Sequence, residues 1–210
     1  METVKYICKK YNINLKKKSP FYIPCGRRRD LPKLFNELGF KVGAEIGVLK
    51  GEWTEKLFDY IPDLKMYCID KWKQYPTYRD FRGPKKLNKY YEITKNRLKN
   101  LNCTIIKEWS MDAVKDFEDE SLDFVFIDGN HTFEYVTNDI AEWSKKVRKG
   151  GIVSGHDFLR SRNGVYVHVK DVVQAWAYSH RIHPWFVLEG YFGKDKIYEN
   201  DHKSWMWVKE

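Results

Sequence analysis

Nowhere in the 210 residues does an apolar run approach the roughly 20 needed to cross a bilayer, so no membrane-spanning helix is expected. The opening residues, METVKYICKKYNINLKKK, lack the continuous apolar stretch and small-residue cleavage site of a secretory signal, and the expectation is a cytoplasmic protein. Cysteine is scarce. Cys8, Cys25, Cys68 and Cys103 are scattered and form no C-x-x-C pair, which argues against a zinc site and a disulfide framework and for four reduced, mostly buried thiols. Acidic residues are the minority charge, 29 against 38 Lys and Arg, giving a net +9 that favours anionic partners such as nucleic acid, phosphorylated metabolites or acidic glycans. Yet basic and aromatic residues are not interleaved in an RNA-binding signature, and the runs Lys16-Lys17-Lys18 and Arg27-Arg28-Arg29 read slightly better as a solvated basic arm.

What the chain does have is a core. Hydrophobic residues make up 42% and aromatics 16%, more than a disordered chain carries. Residues 1–40 read as a basic, helical or irregular extension and 41–210 as one domain. From residue 42 onward short apolar runs alternate with helix-periodic segments. The strands are VGAEI (42–46), KMYCI (65–69), CTIIK (103–107), LDFVFI (122–127) and GIVSG (151–155). The helices are GEWTEKLFDYI (51–61), a charged amphipathic segment at 84–101, SMDAVKDF (110–117), and 133–147 closed by Gly150-Gly151. After a helix at 168–182, the runs WFVLEG and SWMWVK have no helix between them and predict an antiparallel hairpin at the sheet edge. The fold class is therefore α/β: a doubly wound, Rossmann-like, seven-stranded, mostly parallel sheet with a C-terminal antiparallel hairpin. Residues 71–84 read as an ordered loop over a site.

In such sheets ligands bind outside the carboxyl ends of the strands, where the winding reverses. AEIGVLKGEWTEKL puts Glu45 at a strand end, with Gly47 and Gly51 in the turn that follows. The spacing is not G-x-G-x-x-G, and an acid before the first glycine suits a cationic group better than a pyrophosphate. Asp70 ends the next strand about 20 residues beyond the turn, the usual separation for an acid that accepts hydrogen bonds from ribose hydroxyls. On Glu45-Ile46-Gly47-Val48 through Gly51, and Asp70, the chain resembles the class I S-adenosylmethionine-dependent methyltransferases. The resemblance covers about residues 42–210. It implies Gly47 and Gly51 close to the methionine part of the cofactor, Glu45 at its amino group, Asp70 at the ribose, and Trp72, Ser110 and Met111 around the adenine.

The fourth strand ends in Asp128, with Gly129, Asn130 and His131 after it, and the fifth in Gly155-His156-Asp157. Neighbouring parallel strands bring Asp128, His156 and Asp157 within reach of one another, and two close carboxylates ask for a shared proton or a cation. These residues, with Glu134-Tyr135, Asp139, Trp143 and Gly150-Gly151, resemble the metal-dependent small-molecule and sugar O-methyltransferases of the macrocin O-methyltransferase type. That resemblance implies Mg²⁺, with Mn²⁺ an alternative, held by Asp128, His156 and Asp157, Asp128 beside the cofactor, His131 as general base, and a hydroxylated small molecule or sugar as acceptor. His156 stands where the family has an acid, and imidazole admits Mn²⁺, Fe²⁺ or Zn²⁺ more readily than carboxylate does. The family also suggests a homo-oligomer.

Plainer readings exist for each residue. His131 could be a helix-start residue bonded to backbone, Asp128 a cap of the next helix and Asp157 a turn residue. Glu134 and Asp139 read as solvated or structural, and Trp143 as core. Other activities fit parts of the pattern: a methyltransferase for RNA or another polyanion, suggested by the charge; a cofactor-binding module without catalysis, kept alive by His156; and, more weakly, a nicotinamide dehydrogenase, against which the glycine spacing counts.

Overall fold

A computed structural model describes residues 2–26, 29–75, 83–162, 165–189 and 203–210. Its strands are β1 (Phe21–Ile23), β2 (Val42–Ile46), β3 (Lys65–Ile69), β4 (Cys103–Ile106), β5 (Leu122–Ile127), β6 (Val147–Gly155), β7 (Ser161–Arg162), β8 (Val165–Tyr166), β9 (Trp185–Leu188) and β10 (Ser204–Val208). The helices are α1 (Glu2–Lys10), α2 (Asp30–Glu37), α3 (Glu52–Phe58), α4 (Pro84–Leu98), α5 (Ser110–Ala113), α6 (Phe133–Lys146) and α7 (Val169–Ser179). A 3₁₀ turn, Val114–Asp116, prolongs α5. One sheet runs in the order β1-β9-β10-β6-β5-β2-β3-β4, and β7 pairs with β8 as a separate short hairpin.

The middle strands β6, β5, β2, β3 and β4 are parallel, and β10 is antiparallel to both its neighbours, β6 and β9. The expected doubly wound sheet with a C-terminal antiparallel pair is therefore present. The strand count is corrected from seven to eight. The added strand is β1, which pairs in parallel with β9 and so lies outside the hairpin. Phe21, Tyr22 and Ile23 lie between Pro20 and Pro24, and three residues are too few to show a strand periodicity. Residues 2–26 and 29–40 share the core of the rest: Ile7, Cys25, Leu31, Leu34 and Phe35 are fully buried. The helix before β6 also ends differently. Val147 is already extended and starts a nine-residue strand, with a register shift against β5 between Leu122 and Phe124, so Gly150 and Gly151 lie inside β6.

Alternation along β5 builds the two layers. Phe124 and Phe126 point into a core with residues of α1 to α4, and Val125 and Ile127 into a core with residues of α5 to α7. The Phe35 ring stacks on Phe124 with centroids 4.3 Å apart, and Trp53 on Phe126 at 4.0 Å. A strand buried on both faces needs no polar face, which is why LDFVFI has so little polar character. From β2 the chain winds outward to β3 and β4, then returns to β5 and β6 on the other side. The crevice between the carboxyl ends of β2 and β5 is the reversal point. Among the described residues no helix is long and apolar enough to cross a membrane.

Candidate active site

The β2–α3 turn is built for close approach at that reversal point. Gly47 has φ +92°, and a Cβ there would lie 2.2 Å from the Asp128 carbonyl oxygen and 2.7 Å from Gly129 Cα. Only glycine lets the two strand ends touch. The Gly47 N–H donates to the Ile69 carbonyl at 2.9 Å, and the Asp128 N–H to the Ile46 carbonyl at 2.8 Å, tying three strand ends together. Leu49 takes a left-handed conformation, φ +52°, that a branched side chain disfavours. Its N–H donates to Asp70 Oδ2 at 2.9 Å, and its carbonyl accepts from Trp72 Nε1 at 2.7 Å and Thr94 Oγ1 at 2.9 Å. Asp70 Oδ1 accepts from the Trp72 N–H at 2.7 Å. The strand-end acid thus shapes the turn opposite it.

A cavity of about 250 Å³ opens beside this turn. Glu45, Gly47, Asp70, Ser110, Asp128, His131 and His156 all line it, as do Tyr75 and Glu108. Glu45 is buried and accepts a hydrogen bond from Thr54 Oγ1. Gly51, Trp72 and Met111 do not line it. Gly51 starts α3 at φ +71° and packs against Leu98 and Thr94; Trp72 is buried against Tyr91; Met111 packs onto the α5–α7 core. Of the loop expected at 71–84, residues 76–82 lie outside the described residues.

The other wall is the Asp/His cluster. Asn130 Oδ1 accepts from the Thr132 N–H at 2.9 Å, a tight turn that carries His131 between β5 and α6, and the His131 carbonyl accepts from the His168 N–H at 2.9 Å. His131 Nε2 lies 3.1 Å from Asp157 Oδ2 and 3.6 Å from Asp128 Oδ1. His156 Nδ1 lies 3.3 Å from Asp157 Oδ1 and 3.6 Å from the same Asp128 oxygen. Asp157 is wholly buried and sits at φ +51°, a backbone state that costs about 1–3 kcal/mol for a non-glycine residue and is commonest at functional sites. Among the described residues, Asp128, His131 and Asp157 form a group of metal-competent donors, one atom from each lying within 4.8 Å of the others. This differs in one member from the expected set of Asp128, His156 and Asp157, since His156 flanks the group on the other Asp157 oxygen. Two carboxylates and two imidazoles converging in a mostly buried site fit a divalent cation chemically.

Two features were not read from the sequence. Of the two readings given to Asp139, solvated or structural, the second holds, and its burial and partners are the new part. Asp139 accepts from Ser110 Oγ at 2.5 Å, Ser110 in turn accepts from Trp143 Nε1 at 2.7 Å, and burial pushes the Asp139 carboxyl up to about 7. The signal was present: Asp139 lies three residues after Val136 and four before Trp143, on the buried stripe of α6. The second feature is Tyr75, which lines the cavity with its ring 4.7 Å from that of Trp109 and 4.9 Å from that of Tyr135.

A methyltransferase domain model matches residues 44–158, the span from β2 through the Asp128 and Asp157 strand ends. No curated protein matches the chain by sequence. Among solved structures, the O-methyltransferase from Bacillus cereus in complex with SAH is similar at TM-score 0.60 and 17% identity, over 99% of this chain and 89% of that one. A putative O-methyltransferase from Klebsiella pneumoniae gives 0.59 and 12% identity over 99% and 90%. A putative caffeoyl-CoA O-methyltransferase from Staphylococcus aureus gives 0.58 and 14% over 100% and 91%. At these identities the structures speak for the fold, and the domain match, which covers more than half of the residues, speaks for the family: the chain belongs to the methyltransferase domain family, on a Rossmann-like class I scaffold.

Proposed function

We propose that the protein is an S-adenosylmethionine-dependent O-methyltransferase whose acceptor is a hydroxylated small molecule or a sugar. The observation that carries this reading is the opening of one cavity onto both Glu45, Gly47, Asp70 and Ser110 on one side and Asp128, His131 and His156 on the other. The donor bound there supplies an electrophilic sulfonium methyl. Glu45, kept in position by Thr54, offers a buried carboxylate to the cofactor's ammonium group. Asp70 accepts backbone N–H bonds at both oxygens and retains lone pairs for ribose hydroxyls. Gly47 leaves the backbone bare where the methionine part passes.

His131 accepts the proton of the acceptor hydroxyl, and Asp157 Oδ2, 3.1 Å away, steadies the imidazolium that results. A divalent cation held by Asp128, His156 and Asp157 would lower the pKa of that hydroxyl. The protein otherwise contributes alignment of the hydroxyl oxygen with the methyl carbon and exclusion of water.

The test is calorimetric titration with S-adenosylmethionine, with NAD as control and Asp70→Ala beside the unaltered protein. Saturable binding of S-adenosylmethionine alone, weakened in Asp70→Ala, is expected. No binding of S-adenosylmethionine would sink the reading and leave the strand-end acids as structural. With the cofactor established, Asp128→Asn and Asp157→Asn are expected to abolish methyl transfer and leave cofactor affinity within a few fold.

A further inference from the structure

We infer that the Asp128–Asp157 centre selects a borderline transition ion of the Mn²⁺, Fe²⁺ or Zn²⁺ class over Mg²⁺, and that the His156 imidazole makes the selection. The inference rests on the preceding reading, that a divalent cation occupies this centre. It goes beyond that reading in fixing the class of ion and the residue responsible.

The geometry is a ring of alternating carboxylates and imidazoles. Asp128 Oδ1 faces both His131 Nε2 and His156 Nδ1 at 3.6 Å; Asp157 turns Oδ2 to His131 at 3.1 Å and Oδ1 to His156 at 3.3 Å. A centre with bonds of about 2.0–2.1 Å has ligand–ligand edges of roughly 2.9–3.4 Å, and these spacings reach that range with small closing movements. His156 Nδ1 thus faces one oxygen of each carboxylate, and its imidazole would be within reach of an ion held between them. The side chains of His156 and Asp157 are 6% and 0% exposed, so water has little room to replace the imidazole as a ligand.

Ion chemistry decides the rest. Mg²⁺ asks for near-octahedral oxygen ligation and gives up its waters reluctantly. Among the described residues the metal-competent group, Asp128, His131 and Asp157, contains two carboxylates and no third, with His156 beside it. Imidazole nitrogen favours Zn²⁺, Fe²⁺ and Mn²⁺ over Mg²⁺ at any such site. A carboxylate at 156 would give the centre a third anionic oxygen donor and the hard character that Mg²⁺ prefers. With His156 that oxygen is exchanged for nitrogen and the local negative charge falls by one.

The experiment uses full-length protein freed of metal by chelator and titrated calorimetrically with MnCl₂, ZnCl₂ and MgCl₂ in separate runs. Mn²⁺ complexes are then read by electron spin echo for histidine nitrogen coupling. The expected result is one ion per chain and Mn²⁺ or Zn²⁺ tighter than Mg²⁺ by roughly tenfold or more. His156→Asp should narrow that ratio by roughly tenfold and weaken nitrogen coupling, and should do both to a greater extent than His131→Gln. Circular dichroism of each variant separates misfolding from a changed ligand. Mg²⁺ binding as tightly as Mn²⁺ in the unaltered protein would overturn the inference and leave the metal reading standing. So would an unchanged ratio in His156→Asp, or a ratio that collapses only in His131→Gln. If no ion binds, the inference and the metal-assisted step fail together, and S-adenosylmethionine binding, measured separately, decides whether the cofactor reading survives.

Discussion

Replacing Asp139 by Asn keeps the hydrogen-bond chain and removes one titration. The Asn oxygen can still accept from Ser110, and Ser110 can still accept from Trp143, so the change is nearly isosteric. The native carboxyl titrates at about 7 in the folded protein because burial penalises its charged form, against 3.8 for the unperturbed group. The folded state therefore holds a proton that the unfolded chain releases over that interval. Stability contributed by the protonated Asp139 is fully present below the unfolded pKa and is lost as pH rises through the folded pKa. Between about pH 5 and pH 8.5 the loss is roughly 3 kcal/mol, to order of magnitude. Urea unfolding of both proteins at the two pH values isolates this contribution, because every other titrating group cancels in the difference. The expected outcome is an advantage for Asp139→Asn that grows by roughly 3 kcal/mol between pH 5 and pH 8.5. A difference between the proteins that does not change with pH would show that Asp139 is already ionised near pH 5, and that desolvation does not control it.

Two other substitutions probe the frame of the site. Gly47→Ala puts a methyl against the Asp128 carbonyl at 2.2 Å and forces alanine to φ +92°, so it should cost about 1–3 kcal/mol or more and abolish cofactor binding. A thermal melt and a cofactor titration both unchanged would mean that the two strand ends can separate freely. Phe35→Ala removes a fully buried ring stacked on Phe124 and should cost about 3–5 kcal/mol in denaturant unfolding. A loss below about 1 kcal/mol would mean that residues before β2 do not help stabilise the α1–α4 core.

Where one residue's pattern determines its surroundings, the sequence could be read directly. LDFVFI could only be a strand covered on both faces, and Asp128 at its end had to meet whatever followed the neighbouring parallel strand, His156 and Asp157. Those inferences needed only periodicity and the winding rule. What escaped depended on partners distant in the chain. FYI becomes a strand because β9 offers it an unpaired edge, which nothing within three residues can announce. Trp72, placed around the adenine by the family resemblance, is instead held by the Leu49 carbonyl, 23 residues earlier, which takes its indole N–H. Gly51 lies four residues from Gly47, yet its φ of +71° serves the start of α3 and the packing of α4, not the cavity. Asp139 is the most instructive case. Its place on the apolar stripe of α6 was visible, but an acid on such a stripe is costly unless something donates to it, and the donor, Ser110, belongs to a different helix. A charged residue at a core-facing helical position is thus a sign of a polar partner elsewhere in the fold. Here that partner is a serine lining the cavity, so the buried acid on α6 marks the edge of the site.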